Sequence, residues 1–303
     1  MTPIHGQGEK NNVNNNGVQG WKKTVAIWVS STVMAGSFMM VQPSAPVEAA
    51  ANMTPGYEVK FVLNQNVLDP DSTPDAELSS AFGLPGSGQK IAVEYFDTDG
   101  QNLNEQGWNV RLRKKEDKKN YEITYKKRYP VTNGDINAAL TLANKEGFDA
   151  GDTNYEAEID WGYGKQTLSL SNDKDIKTSD TKATLPSESK ALDMILDKLP
   201  GKLDDWKGQS HWGKQQLEDS RAYGPVMASK YKGTWNGIEV DVEVWPIRTA
   251  DGSSTEPIVE ISFKADEYAD AAANRQKLMN YLNQEGWLVP QDSLKTQLVL
   301  DRY

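Results

Sequence analysis

The stretch Trp108-Asn-Val-Arg-Leu-Arg-Lys-Lys115, followed by the polar run from Glu116 to Asn120 and then Tyr121-Glu-Ile-Thr-Tyr-Lys-Lys-Arg128, decides the fold class of this chain. Both halves alternate, and a short polar connector between two alternating runs is the pattern of a β-hairpin. Side chains along a strand point to opposite faces in turn, so Arg111, Arg113 and Lys115 share one face, and Lys126 and Arg128 share another. Pairing through the turn can make those two faces coincide. Nine of the 33 Lys and Arg residues fall between Trp108 and Arg128.

Outward from the hairpin, four more runs alternate: Tyr57 to Leu63, Tyr155 to Trp161, Ile238 to Trp245 and Ile258 to Lys264. Each carries charges spaced by two: Glu58 with Lys60, Glu156 with Glu158, and Glu239, Asp241 and Glu243 together. Such a set is either a solvated outer face or a charged interior, and for one strand alone the wet face is commoner. Asp241 and Glu239 are expected at the surface. Trp161, Trp206, Trp212 and Trp287 are expected in packing, and His211 in solvent. Two segments read as helices. Ser187 to Leu199 places Leu192, Ile195, Leu196 and Leu199 on one side and stops at Pro200-Gly201. Asp266 to Gln284 starts with Asp266 as a cap and ends before Gly286.

The first fifty or so residues are of another kind. Lys22 and Lys23 precede the uncharged stretch Thr24 to Val41, then Pro43, Pro46 and the small residues Ala49-Ala50-Ala51, an order of basic, apolar and small that marks an export signal. Cleavage is expected after Ala49 or Ala51, leaving a secreted protein, extracellular or associated with the cell wall. The alternative is an uncleaved membrane anchor. The 18 uncharged residues reach the lower end of the ~17–25 a spanning helix needs, although Ser30, Ser31, Thr32, Gly36 and Ser37 make the stretch only modestly apolar. The domains are therefore expected as 1–51, signal and leader, and 52–303, one folded domain of roughly 250 residues.

Composition excludes several chemistries. The chain has no cysteine, so disulfides, thiolate metal sites and a cysteine nucleophile are out. Its two histidines, His5 and His211, exclude histidine-based catalytic pairs and multi-histidine zinc sites. A formal charge of −10 argues against nucleic acid and against an anionic membrane as partners. Hydrolytic chemistry would have to use carboxylates, basic residues and a hard cation.

With these residues in hand, a family resemblance emerges. Glu94-Tyr-Phe-Asp-Thr-Asp99, Leu103, Gly107-Trp108, Arg111-Leu-Arg113 and Thr124-Tyr-Lys126 resemble, in order and spacing, a block of the CYTH or triphosphate tunnel metalloenzyme family. Glu58-Val-Lys60-Phe61 resembles the family's opening strand, Glu156-Ala-Glu158 its middle acidic pair, Trp235-Asn-Gly237 leading to Glu243 its single-acid strand, and Val259-Glu260 its last acidic strand. The resemblance implies a mainly β (α+β) fold, an antiparallel β-barrel or tunnel with flanking helices, on which residues 162–225 would pack as a partly helical insertion. It implies Glu58, Lys60 and Glu158 as catalytic residues. Lys60, Arg111, Arg113, Lys126, Lys230, Lys232 and Lys295 would bind substrate, and Glu58, Glu156, Glu158, Glu243 and Glu260 would hold Mg²⁺ or Mn²⁺. Two family carboxylates are missing, since Gly56 and Ser262 occupy their positions, and Lys230 and Lys232 stand where arginine is usual. The expected function is metal-dependent hydrolysis of inorganic triphosphate, polyphosphate or another small triphosphate. The alternative is a non-catalytic polyphosphate or polyanion binder. Nucleotide cyclisation is disfavoured because export removes the chain from cytosolic ATP.

Overall fold

A computed structural model describes residues 50–293 and 295–303. The expected export segment and the cleavage position after Ala49 lie outside the described residues. No helix among the described residues is long and apolar enough to cross a membrane.

The strands, in chain order, are β1 (Gly56–Leu63), β2 (Gln89–Asp97), β3 (Trp108–Lys115), β4 (Asn120–Val131), β5 (Glu156–Trp161), β6 (Gln166–Lys177), β7 (Arg221–Trp235), β8 (Ile238–Arg248), β9 (Thr255–Ala265) and β10 (Leu288–Val289). The helices are α1 (Ala76–Phe82), α2 (Asn102–Glu105), α3 (Ile136–Lys145), α4 (Glu188–Asp197), α5 (Gly201–Asp204), α6 (Trp212–Glu218), α7 (Tyr268–Gln284) and α8 (Lys295–Arg302). Nine strands pair in the cycle β1-β5-β6-β4-β3-β2-β7-β8-β9 and back to β1, which closes a barrel and leaves no free edge along it. All pairs in the cycle are antiparallel except β1 with β5, which run parallel. The short β10 pairs with the end of β1.

Alternation explains why the ring closes around a polar interior. On β3, Val110 and Leu112 point outward into a buried apolar layer beneath α3 to α6, while Arg111, Arg113 and Lys115 point inward. On β1 and β9, Val59, Phe61, Val259 and Ile261 pack outward beneath α1 and α7, leaving Glu58, Lys60, Glu260 and Ser262 inside. A third cluster joins Ile91, Val93 and Tyr95 of β2 with Trp245 and Ile247 of β8 and with Val299 and Leu300, so α8 packs its apolar face against the inner side of the barrel wall, where Ile91, Val93, Tyr95 and Trp245 also line the tunnel.

The block that carried the resemblance is partly scaffold. The Asp97 carboxylate accepts the backbone N–H groups of Thr98, Leu103 and Asn104, and so fixes the turn that opens α2. Gly107 sits at φ +74°, and a Cβ there would lie 2.8 Å from the Arg128 carbonyl, so only glycine lets the chain cross β4 before Trp108 enters the core.

Two expectations need correction. Residues 162–225 are not one insertion, because β6 lies within them and pairs along its whole length with β4, and β7 begins at Arg221. The part outside the barrel is 178–220. The polar sequence Ser169, Ser171, Asp173 and Asp175 hid β6, since its inward face meets a wet tunnel. The helix expected from Ser187 does form as α4, but α7 begins at Tyr268 with Glu267 as its cap residue and no side-chain cap, so Asp266 does not play that part.

Candidate functional site

The barrel encloses a cavity of about 300 Å³. Nine basic side chains line it (Lys60, Arg111, Arg113, Lys115, Lys126, Arg128, Lys230, Lys264 and Lys295) against seven acidic ones (Glu58, Glu156, Glu158, Asp173, Asp241, Glu243 and Glu260). Glu122 and Asp160, which bond to Arg113, Lys115 and Lys60 of this lining, bring the acids to nine as well, so the interior charges balance inside a chain of formal charge −10. A second cavity of about 310 Å³ shares Lys60, Arg128, Glu260, Lys295 and Thr296 with the first and adds Asp160 and Lys165.

The basic wall is the β3–β4 hairpin. Register sets Arg113 opposite Glu122 and Arg111 opposite Thr124, with Lys126 one rung further along. Glu122 pairs with both Arg113 and Lys115 at 2.9 Å, so those two cations are already compensated. Arg111 and Arg128 have no acidic partner within 4 Å among the described residues, and Arg111 spends one N–H on the Thr124 hydroxyl at 3.2 Å. Its Nε, like that of Arg113, is buried and unpartnered. Beside them, burial pushes the Tyr95 phenol up but the Arg111 guanidinium and other nearby cations outweigh it, leaving the phenol below its usual range.

The acidic wall is β5, β1 and β9. Glu58, Glu158 and Asp160 each place an oxygen within 4.8 Å of the others. Lysines hold all three. Lys60 lies 2.7 Å from Glu58 and 2.6 Å from Asp160, and Lys264, opposite Glu58 in the ladder, pairs with Glu158. Burial pushes Glu58 up, but the Lys60 ammonium overrides it and keeps the carboxyl below its ordinary value. Burial likewise opposes charge on Asp160, and Lys126, Lys60 and Arg128 hold it ionised well below the carboxylate range. Glu158 goes the other way, raised first by burial and then by Glu58. Burial disfavours the charged Lys60, yet Asp160 and Glu58 raise it well above its usual value, so it stays an ammonium.

At the α8 end, Lys295 lies 2.8 Å from Glu243 and 2.6 Å from Glu260, and Lys230 lies 2.7 Å from Asp241. Burial raises Glu243, but Lys295 and Lys230 outweigh it and hold the carboxyl low; Lys295 is in turn held high by Glu243 and Glu260 against its own burial. Removing one member of such a buried pair leaves an uncompensated charge and costs about 3–5 kcal/mol.

All but one of the residues expected in the site line this cavity: Glu58, Lys60, Arg111, Arg113, Lys126, Glu156, Glu158, Lys230, Glu243, Glu260 and Lys295. Lys232 does not. It shares its strand face with Lys230 but is exposed and absent from the lining, and the acid opposite it on β8, Asp241, is taken by Lys230 instead. Asp241, expected at the surface, lines the cavity, whereas Glu239 is exposed. The sequence reading passed over Asp160, Lys264 and Tyr95. Parity could have found the first two, since Asp160 continues the Glu156–Glu158 face and Lys264 the Glu260 face. His211 is exposed and pairs with Asp204, while Trp206 is buried under the outer layer.

No protein-family model matches the chain, and no curated protein matches it in sequence. Solved structures do resemble it. One is a candidate adenylyl cyclase of Hippeastrum with a dominant triphosphatase activity, 13% identical over 81% of this chain and 99% of that one, with a TM-score of 0.43. Another is a candidate adenylate cyclase of Bacillus halodurans, 13% identical over 82% and 98%, with a TM-score of 0.45. A third, from Vibrio parahaemolyticus, is 10% identical over 81% and 98%, with a TM-score of 0.40.

Proposed function

We propose that the tunnel binds a small linear triphosphate or polyphosphate and hydrolyses its terminal phosphoanhydride with a divalent cation, on an exported CYTH-like protein. The observation that carries this is the division of one enclosed cavity into a guanidinium-rich wall with uncompensated donors and a facing wall of three converging carboxylates. A phosphate chain needs donors along its length, and arginine supplies them as a planar fork.

Arg111, Lys126 and Arg128 would grip the phosphates, with the Thr124, Tyr95 and Thr296 hydroxyls between them. Glu58, Glu158 and Asp160 fit a hard cation in donor chemistry, since all offer carboxylate oxygen. Mg²⁺ or Mn²⁺ held by these carboxylates would supply Lewis-acid polarisation of the phosphate under attack. Because Lys60 remains an ammonium, it would neutralise charge on the transferring phosphoryl group instead of removing a proton. Glu158, with its raised proton affinity, suits the acceptor role toward the attacking water, at the oxygen that Lys264 leaves free. Arg111, Lys126 and Arg128 would carry the charge of the leaving group.

A second reading, a polyanion binder without turnover, is favoured by one observation: Glu58, Glu158 and Asp160 already have lysine partners, and Gly56 and Ser262 contribute no carboxylate. Phosphate release from tripolyphosphate separates the two. The hydrolase reading expects release with Mn²⁺ or Mg²⁺, none in chelator, and a large drop in Glu158→Gln. Tight binding in chelator with no release under any cation would retire it.

A further inference from the structure

Glu243 and Glu260 are directly opposed across the β8–β9 ladder. Opposed side chains on neighbouring strands come within about 4.5–5.5 Å at Cβ, and like charges there repel. A cation between them removes the repulsion, and the Lys295 ammonium is that cation, 2.8 Å from one and 2.6 Å from the other. Other support is thin. Glu243 also accepts the Trp245 indole N–H at 2.9 Å, and Lys230 stands further off at 3.6 Å. The second oxygen of Glu260, a residue only 4% exposed, has no partner at all.

The way Lys295 is mounted matters as much as its distances. It opens α8, whose Val299 and Leu300 are buried among Trp245, Ile247 and Tyr223, whose Thr296 hydroxyl bonds to Tyr95, and whose Arg302 pairs with Glu256. The Lys295 ammonium also stands 4.8 Å over the Trp245 ring. Its side chain is 14% exposed, against 64% for the Lys264 side chain on the other wall. Lys264 can swing away from its carboxylate, while Lys295 is fixed by the packing of a whole helix.

We infer that Lys295 is a resident cation of the tunnel: it occupies the place between Glu243 and Glu260 that a divalent ion would otherwise take, and this pair binds exchangeable metal only once the ammonium is removed. Lys295 is then a positioning residue, not a substrate contact, and it holds Glu243 and Glu260 in place whether or not metal is present. Within the tunnel at most one exchangeable divalent ion remains, at Glu58, Glu158 and Asp160, apart from any that Asp204, Asp205 and His211 hold outside the barrel. That count rests on the function proposed above, whereas the place of Lys295 does not.

Counting bound Mn²⁺ per chain tests the inference by equilibrium titration, with free Mn²⁺ read by its paramagnetic resonance signal and no phosphate compound present. Wild type is expected to bind no ion at Glu243 and Glu260, so Glu260→Gln alone leaves its count unchanged. Lys295→Met, which keeps the chain length and loses the charge, is expected to bind one more, and Lys295→Arg none more. Adding Glu260→Gln to Lys295→Met should abolish the extra site. A variant that folds only when Mn²⁺ is added also supports the inference. A wild-type ion that Glu260→Gln abolishes would overturn it, and so would a folded Lys295→Met with an unchanged count. If Lys295→Met does not fold under any condition, wild type against Glu260→Gln decides by itself. Because nothing here is read from phosphate release, absence of hydrolysis and failure of this inference are separate outcomes.

Discussion

The two walls of the tunnel solve opposite problems. On the β3–β4 wall, cations outnumber nearby acids, so Arg111 and Arg128 face the cavity with donors to spare. On the wall formed by β5, β1 and β9, Glu58 and Asp160 share Lys60, Glu158 pairs with Lys264 and Glu260 with Lys295, and of the acids assigned to metal only the exposed Glu156 forms no ion pair among the described residues. An anion can therefore enter without displacing anything, but a divalent ion must compete with ammonium groups. The difference shows why binding of phosphate follows more directly from this architecture than binding of metal.

A carboxylate on the outer face of the barrel shows what happens here without a resident lysine. Glu94 lies on β2 next to Tyr95 but points away from the cavity, is 5% exposed, and has an unpartnered oxygen. Burial first, and then Glu188, pushes it from 4.5 up to about 7. Between those values the native chain keeps a proton that the unfolded chain has released. The contribution is therefore fully present below pH 4.5 and is lost as pH rises through about 7. Glu94→Gln should remove that decline, worth up to about 3 kcal/mol at 1.36 kcal/mol per unit. Urea unfolding midpoints at several pH values check it, and an equal decline in both proteins would break the contrast between paired and unpaired acids.

A smaller effect is expected on the acidic wall. Lys264 is largely exposed, and exposed pairs are worth about 0.2–1 kcal/mol, so Lys264→Met should tighten Mn²⁺ binding by up to roughly fivefold as Glu158 is freed. Binding should weaken as pH falls, because Glu158 takes up a proton more readily than an ordinary carboxyl. Calorimetric titration with Mn²⁺ at two pH values would show both trends, and unchanged affinity in Lys264→Met would mean that Glu158 is not a ligand.

Much of this was legible in the sequence, and the failures have one cause. Alternation reports which side of a strand a residue faces. It grouped Arg111 with Arg113 and Glu156 with Glu158 on common faces, and the family resemblance turned those faces inward, where they lie. It does not report which members of one face meet the cavity, so Lys232 was put in the site although it is exposed, and Asp241, directly opposite it on β8, was left outside although it lines the cavity and pairs with Lys230. Nor does it report partners across the barrel: nothing local to Lys295 points to Glu243 and Glu260, which are 52 and 35 positions away in the chain. Strand β6 escaped because a strand facing a wet tunnel on one side, with Asn172 even on its packed side, loses the contrast that alternation needs.

The central claim is that uncompensated cations of the β3–β4 wall grip a phosphate chain, and Arg111 and Arg113 test it against each other. They sit two residues apart on one face, but only Arg113 is already held by an acid, Glu122. Tripolyphosphate should be titrated calorimetrically into wild type, Arg111→Ala and Arg113→Ala. A lost hydrogen bond to a charged group costs about 1.5–3 kcal/mol, so Arg111→Ala should weaken binding roughly 10- to 150-fold, with 1.4 kcal/mol per tenfold. Arg113→Ala should weaken it less. Equal affinity in wild type and a folded Arg111→Ala would contradict the account.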